Sequence, residues 1–512
     1  MQLSADYLLN QATLDVAVLP DSRLHLPETV LQFGTGALLR GLPDYLIDKA
    51  NRQGLFNGRI VAVKSTNGGD LSAFREQDNL YTLCVRGVEQ GQISEENSIC
   101  SAISRVLSAS SQWAEILEVA ASPDLQVVIS NTTEVGIQLE QDDVRQEPPR
   151  SFPGKLLAVL LARYLAFEGD PARGLVIVPT ELVVDNGSKL ERIVLELAHR
   201  NGLDTEFIDW LESANTFCNS LVDRIVPGTP DPTTHQNLEA QLGYEDKLLT
   251  IAETYRLWAI EVPPGASEER VRAALSFHEA DRGVWIQPNI TLFRELKLRL
   301  LNGAHTLSCG LAHLIGCRTV SEAMQHETFS VYMRSLLLAE LVPGIPYAMD
   351  EKTAQRFALD ILDRFQNPYI EHRWLAITMQ YSAKMQQRIV PTLLHYYTQF
   401  GTVPRYMAMG LAGYLLFTRP IRESEGVWYG EWAGEAYSIQ DERAGYFAEL
   451  WQSKSAEALV TIVLENRSLW GHDLAQLPGL AKAVSTYLTQ FITHGPAATV
   501  ATFFTRPESV SL

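Results

Sequence analysis

Three polar side chains within a nine-residue stretch have types that could share one reaction: Lys297, Asn302 and His305, in Lys297-Leu-Arg-Leu-Leu-Asn302-Gly-Ala-His305. The apolar spacing around them predicts a helix. At about 100° per residue, Asn302 lies about 140° around from Lys297 and His305 about 80°, so one broad face can present all three. Asn302 and His305 are neighbours at i,i+3. The set suits alcohol–ketone interconversion. A desolvated lysine can act as general base toward a hydroxyl. An asparagine N–H can stabilise the developing alkoxide, and a histidine can hold a neighbouring hydroxyl. A nicotinamide would exchange the hydride, and no metal is needed. The same spacing also admits a solvent-facing lysine and a histidine satisfied inside a core, and spacing alone leaves these readings open.

A second candidate is the turn Gln32-Phe33-Gly34-Thr35-Gly36-Ala37-Leu38-Leu39-Arg40. It follows a strand pattern and opens a helical one. A first glycine allows the tight turn, a second lets a pyrophosphate approach the backbone, and a helix N-terminus offers free N–H groups. The third glycine of that fingerprint is replaced by Leu39, and an ordinary strand-to-helix turn remains an alternative. The acid that would hold an adenosine ribose should close the second strand. That strand ends Lys64-Ser-Thr-Asn-Gly-Gly-Asp70, with no acid at its tip, so the pattern leaves NAD against NADP open.

These residues need a frame. Thr29–Phe33, Arg59–Lys64, Leu125–Ser130 and Gly174–Val178 read as short β-branched strands, with helical spacing between them at Ser111–Val119 and Lys155–Ala166. Strands alternating with helices imply parallel βαβ units. From about Leu292 onward the period is almost entirely 3.6, over Phe293–Ile315, Val320–Leu341, Glu351–Phe365, Arg388–Phe400 and Ala456–Glu465. The expectation is an α/β N-terminal domain over 1–290 and an all-α C-terminal domain over 291–512, with the boundary near 285–292.

The 512 residues suit two or three domains, and 46% hydrophobic with 20% charged residues suits a large core. A net charge of −19 argues against a nucleic-acid partner. Five scattered cysteines, none at C-x-x-C spacing, suggest neither a zinc clip nor a redox dithiol. Residues 1–20 lack the charged and apolar regions of a leader, and no apolar run of about 18 residues occurs, so the expected location is the cytoplasm, with no membrane span.

Beyond composition and spacing, Lys297-x4-Asn302-x2-His305 resembles the catalytic pattern of the polyol-specific long-chain dehydrogenases, the mannitol dehydrogenase family. Further segments resemble one branch of it, which interconverts D-tagaturonate and D-altronate. These are Gln32–Arg40, Ser130-Asn131-Thr132-Thr133-Glu134, Ser220–Val226, Asn302–Thr306, and Arg364-Phe-Gln-Asn-Pro-Tyr-Ile370 with Lys384 and Arg388 downstream. They occur in order from residue 31 to about 480. The resemblance implies a Rossmann-type first domain, a helical second domain and an active site between them. It implies Lys297 as general acid/base, Asn302 as oxyanion donor and His305 as substrate-orienting group. It implies NAD as cofactor, with Phe33, Gly34, Thr35, Gly36, Ala37, Leu38, Arg40, Asn131 and Thr132 facing it, and it places Asp223 close to the site.

Two departures stand out. The wider family often has an Asp-Asn pair supplying a second amide to the oxyanion, where this chain has Glu181-Leu182 ahead of Asn186-Gly187. The tagaturonate branch also tends to have Glu-Leu there, which leaves the second donor unassigned. The glycine turn reads Gly-Thr-Gly-Ala where that branch more often has Gly-Glu-Gly-Asn. A hexuronate or aldonate substrate carries a carboxylate, which needs a cation, ideally arginine. Lys384 and Arg388, at i,i+4, are the candidates, against a solvated basic face. Alternatives are a fructuronate/mannonate or mannitol-type substrate, a non-catalytic nicotinamide-binding protein, or a decarboxylating hydroxy-acid dehydrogenase.

Overall fold

The computed structural model describes residues 1–9, 21–66, 68, 70–132 and 136–505. The leader reading over 10–20, and Thr133 and Glu134 of the Ser130–Glu134 segment, lie outside the described residues. The chain divides into two compact units: Met1–Arg86 with Ser94–Ile290, and Gly87–Ile93 with Thr291–Leu512.

The first unit is built on a six-stranded parallel sheet. Its spatial order is Ile103–Ser108, Arg59–Lys64, Glu28–Phe33, Val127–Ser130, Val176–Pro179 and Thr216–Phe217. In chain order that is third, second, first, fourth, fifth, sixth, the doubly wound arrangement of a Rossmann fold. The strands are apolar on both faces because both are covered. Val30, Ile60, Ala62, Val127 and Ile129 pack to one side. Leu31, Phe33, Val61, Val63 and Val128 pack to the other. Fully buried parallel strands have this composition. The order reverses between Glu28–Phe33 and Val127–Ser130, and such a sheet binds ligands at the carboxyl ends of the strands where its order switches. Sequence periodicity did not find Ile103–Ser108, nor the sheet made of Asn219–Asp223, Leu257–Glu261 and Val284–Gln287. Buried Asp281 ties this unit together, accepting from Lys49 Nζ and Arg256 Nε, each at 2.7 Å, and from the Gly283 N–H at 2.8 Å.

The second unit is mainly helical. Asn302–Ile315, Arg405–Phe417 and Leu480–His494 form its buried centre. At Gly410 a Cβ would stand 2.8 Å from the Leu307 carbonyl oxygen, so only glycine lets the first two helices approach this closely. Arg405–Phe417 has no side-chain cap of its own. The buried Glu340 carboxylate supplies one from a distance, accepting from the N–H groups of Tyr406 at 2.9 Å and Met407 at 2.7 Å. Burial pushes its pKa up to about 8, and those backbone donors oppose the rise.

Two features depart from the sequence expectation. A small antiparallel sheet, Arg422–Ser424, Val427–Trp432 and Glu435–Ile439, interrupts the helices. Gly426 and Gly434, both at positive φ, sit between its strands, but three strands of three to six residues leave little period to detect. Second, the helices are not uniformly α. Lys297–Leu301, Leu336–Leu341 and Met385–Ile389 are single π-helical turns, closed i→i+5 by Asn302 N–H to Lys297 O, Val342 N–H to Leu337 O and Val390 N–H to Met385 O. The first packs against the other two. Isolated π turns inside α-helices are rare and concentrate at functional sites. Among the described residues, no helix is long and apolar enough to cross a membrane.

Candidate functional site

One candidate site lies in the first unit, at the reversal of the parallel sheet. Gly34 N–H donates to Val63 O at 2.9 Å and Asn131 N–H to Phe33 O at 3.1 Å, so the glycine turn and the Asn131 loop leave adjacent strand ends. Gly34 has φ +129°, and a Cβ there would stand 2.9 Å from the Asn131 carbonyl oxygen and 2.7 Å from Leu39 Cδ1. Glycine is therefore required twice over, by backbone conformation and by space. At Gly36 a Cβ would meet no atom within 4 Å. Leu39, in the third glycine position, is fully buried and anchors the short helix Ala37–Gly41 from behind. A cradle of this shape, with open space before Gly36 and no side-chain cap on the helix that follows, fits a dinucleotide pyrophosphate.

The remaining sequence-picked residues here divide by role. Arg40 is tied into the unit: its Nη1 donates to Thr35 O at 3.3 Å, its Nε to Thr250 Oγ1 at 3.1 Å, and its guanidinium lies near the rings of Phe74 and Tyr81. It braces the turn from within. Asn131 Nδ2 donates to the Thr180 carbonyl at 3.1 Å and to its hydroxyl oxygen at 3.0 Å. Thr132 donates its N–H at 2.9 Å and its hydroxyl at 3.0 Å to Glu181 Oε1, and the Ser130 hydroxyl reaches Oε2 at 3.1 Å. Buried Glu181 thus fixes the whole Ser130–Thr132 corner. Its motif was noted in the sequence but not its purpose, because its partners lie about fifty positions away. Leu182 is 62% exposed. Asp70 is fully exposed and binds its own chain, accepting from Ser72 N–H at 3.0 Å and from the Ser72 hydroxyl; that hydroxyl holds its carboxyl below the usual carboxylate range.

Replacing Gly34 with alanine is expected to weaken dinucleotide binding at least tenfold, because the chain must either strain or move the Asn131 carbonyl. Titration of NADH fluorescence against the purified variant measures this. Wild-type affinity would show that the turn is not the pyrophosphate seat.

Asp223 ends its strand buried within the first unit. Neighbouring Arg224 is structural: it donates to the Glu253 carbonyl at 2.9 Å and to the Gly41 carbonyl, and lies over the Tyr45 ring. Burial brings its pKa down to about 10.

Another candidate site lies in the helical unit. Lys297 opens a π turn and Asn302 follows it, both half-buried. A turn closed over five residues is wider than an α turn, so Lys297 and Asn302 are closer in direction than the α-helical angle implies. His305, one turn further, is buried; its ring stacks on Phe365 at 4.4 Å and meets the edges of His372 at 5.0 Å and Trp374 at 5.9 Å. Among the described residues its Nε2 has no hydrogen-bond partner. Burial, then His372, Arg364 and Arg388, hold its pKa well below the ordinary histidine value, so the ring stays neutral.

Arg388 and Lys384 do not act alike. Lys384 Nζ donates to the Ile377 carbonyl at 2.9 Å. Arg388 lies in the π turn and its Nη1 donates to Thr306 Oγ1 at 3.1 Å, beside His305. Among the described residues no carboxylate pairs with Arg388, and burial lowers its pKa. A half-buried guanidinium and a buried imidazole, both short of partners, are what an anionic, hydroxyl-bearing ligand would satisfy. Thr306 and His372 had no separate signal in the sequence. Thr306 closes the Asn302–Thr306 segment and His372 lies just past Arg364–Ile370, and only folding sets Thr306 against Arg388 and His372 against His305.

Comparison with known proteins agrees with this geometry. The family model for the mannitol dehydrogenase Rossmann domain matches residues 28–271, and that for the mannitol dehydrogenase C-terminal domain matches 289–492. The chain is 41% identical over 460 residues to an altronate oxidoreductase of Halalkalibacterium halodurans, covering 88% of each chain. It is 37% identical to that of Bacillus subtilis, covering 91% of this chain and 93% of the relative. Its fold is similar to the Pseudomonas fluorescens mannitol 2-dehydrogenase ternary complex with NAD and D-mannitol, at TM-score 0.63 and 21% identity over 99% of this chain and 100% of that one. It is also similar to substrate-free D-sorbitol dehydrogenase, at TM-score 0.73 and 20% identity over 98% and 100%. The chain therefore belongs to the mannitol dehydrogenase family, with a Rossmann first domain and a helical C-terminal region, and is a dehydrogenase acting on a CH–OH group.

Proposed function

We propose that this enzyme interconverts D-tagaturonate and D-altronate using NAD(H). The supporting observation is a pair in the helical unit that is short of partners among the described residues: His305 Nε2, with no hydrogen bond, and the Arg388 guanidinium, which pairs with no carboxylate and donates to Thr306, the residue next to His305. A neutral polyol would satisfy the imidazole alone, whereas a sugar acid satisfies both. The altronate oxidoreductases of Halalkalibacterium halodurans and Bacillus subtilis point the same way.

Bound at the Gly34 turn, the cofactor supplies hydride exchange at its nicotinamide. The chain does the rest. In the oxidative direction Lys297 Nζ takes the hydroxyl proton, and in reduction it returns one to the carbonyl oxygen. The Asn302 amide N–H₂ donates to that oxygen as charge develops. His305, held neutral by burial and nearby cations, exchanges a hydrogen bond with an adjacent substrate hydroxyl. Arg388 receives the carboxylate. Lys384 is engaged by a backbone carbonyl, so the carboxylate is assigned to Arg388 ahead of it, and Asp223 is kept as a secondary candidate for a substrate hydroxyl.

A panel of purified protein against tagaturonate, fructuronate and fructose, each with NADH and NADPH, tests the reading. The highest kcat/KM is expected for tagaturonate with NADH. Preference for fructose would sink the carboxylate assignment, and preference for NADPH would sink the cofactor.

A further inference from the structure

Arg299 lies between Lys297 and Asn302 but belongs to neither proposed role. It is buried at 8% exposure, inside the first π turn. Its Nη1 donates to the Gln387 carbonyl at 2.6 Å and to the Arg388 carbonyl at 3.3 Å. Its Nε is held by Glu295 Oε2 at 2.9 Å. Both carbonyls belong to the other π turn, the one that carries Arg388.

The sequence shows why that turn departs from an α-helix. In an α-helix the Gln387 carbonyl would accept from residue 391, which is Pro391 and has no N–H. The chain widens here to a π turn, Val390 N–H closing on Met385 O, and the Gln387 carbonyl accepts from Arg299 Nη1. Hydrogen bonds donated by a guanidinium are among the stronger ones, so the link between the two turns is held by more than packing.

We propose that Arg299 is a positioning residue that sets the separation between the turn bearing Lys297 and the turn bearing Arg388, and so between proton transfer and carboxylate recognition. The inference rests on the roles proposed above for those two residues. A misplacement of about 1 Å between such groups is enough for a loss on the order of 100-fold.

A double-mutant cycle with the full chain tests it, read as KM and kcat for tagaturonate with NADH and accompanied by thermal midpoints. Arg299→Ala should lower kcat/KM about 100-fold, in both KM and kcat. In an Arg388→Leu background, its KM component should vanish, because the carboxylate partner is already gone. If Arg299→Ala does not fold, Arg299→Lys, which keeps a cation but loses the Glu295-held fork, should show the same pattern at about tenfold. Kinetics within twofold of wild type, or effects strictly additive with Arg388→Leu, would overturn the proposal. A wild-type protein inactive on tagaturonate would instead fail the functional reading; an active one insensitive at Arg299 fails only this inference.

Discussion

Lys297→Ala is expected to lower kcat for tagaturonate reduction by about 10³- to 10⁴-fold while leaving substrate KM within a few-fold. A positioned general acid/base contributes roughly 10²–10⁴ to rate, and the other titratable group of the segment, His305, is given a different role. His305 is held neutral by burial and by His372, Arg364 and Arg388, and is assigned to a hydroxyl rather than to the reacting oxygen. The loss should therefore appear in kcat, as expected for an interaction made mainly in the transition state. Small primary amines added to the variant should restore part of the rate, because an exogenous amine can supply the missing acid/base. Stopped-flow measurement of NADH oxidation separates the chemical step from product release. Full activity in Lys297→Ala would remove the assigned acid/base.

The second large effect is expected at Arg388. Arg388→Leu should raise KM for tagaturonate by roughly 30- to 700-fold, from the about 2–4 kcal/mol lost when one member of a desolvated ion pair is removed. Activity on a neutral ketose should change only a few-fold. The accompanying stability change distinguishes this from damage to the fold. Arg388 is half-buried and, among the described residues, pairs with no carboxylate, so leucine removes an uncompensated charge and the thermal midpoint should stay level or rise. Equal losses on charged and neutral substrates, or a marked drop in thermal midpoint, would show that Arg388 holds the fold rather than the substrate.

Parts of both halves were legible for a simple reason. Buried parallel strands must be apolar on both faces, so Thr29–Phe33 and Arg59–Lys64 stand out as β-branched runs, and they pair as adjacent strands. Glu351–Phe365 matches its helix residue for residue because its apolar stripe is regular and Asp350 caps it, accepting from Thr353 N–H at 3.0 Å. Gln92–Cys100 was illegible: Gln-Ile-Ser-Glu-Glu-Asn-Ser reads as loop, and the segment is a strand because it pairs with Tyr81–Glu89. There tertiary pairing overrides local preference.

The candidate site divides in the same way. Sequence alone supplied the residue types that could carry the chemistry: a lysine, an amide and an imidazole in one short segment, and a glycine turn after a strand. These are matters of residue type and local order, which the chain states directly. Tertiary structure decided how they are used. Lys297-Leu-Arg-Leu-Leu301 reads as ordinary α-helix, yet it closes as a π turn and brings Asn302 round toward Lys297. Lys384 and Arg388 read as an equivalent i,i+4 pair, yet one is held by a backbone carbonyl and the other lies beside Thr306. The physical reason is that an i→i+5 turn and a buried cation are each unfavourable in isolation. What sustains them is distant in sequence: the carbonyls of Gln387 and Arg388 for Arg299, and Thr306 for Arg388.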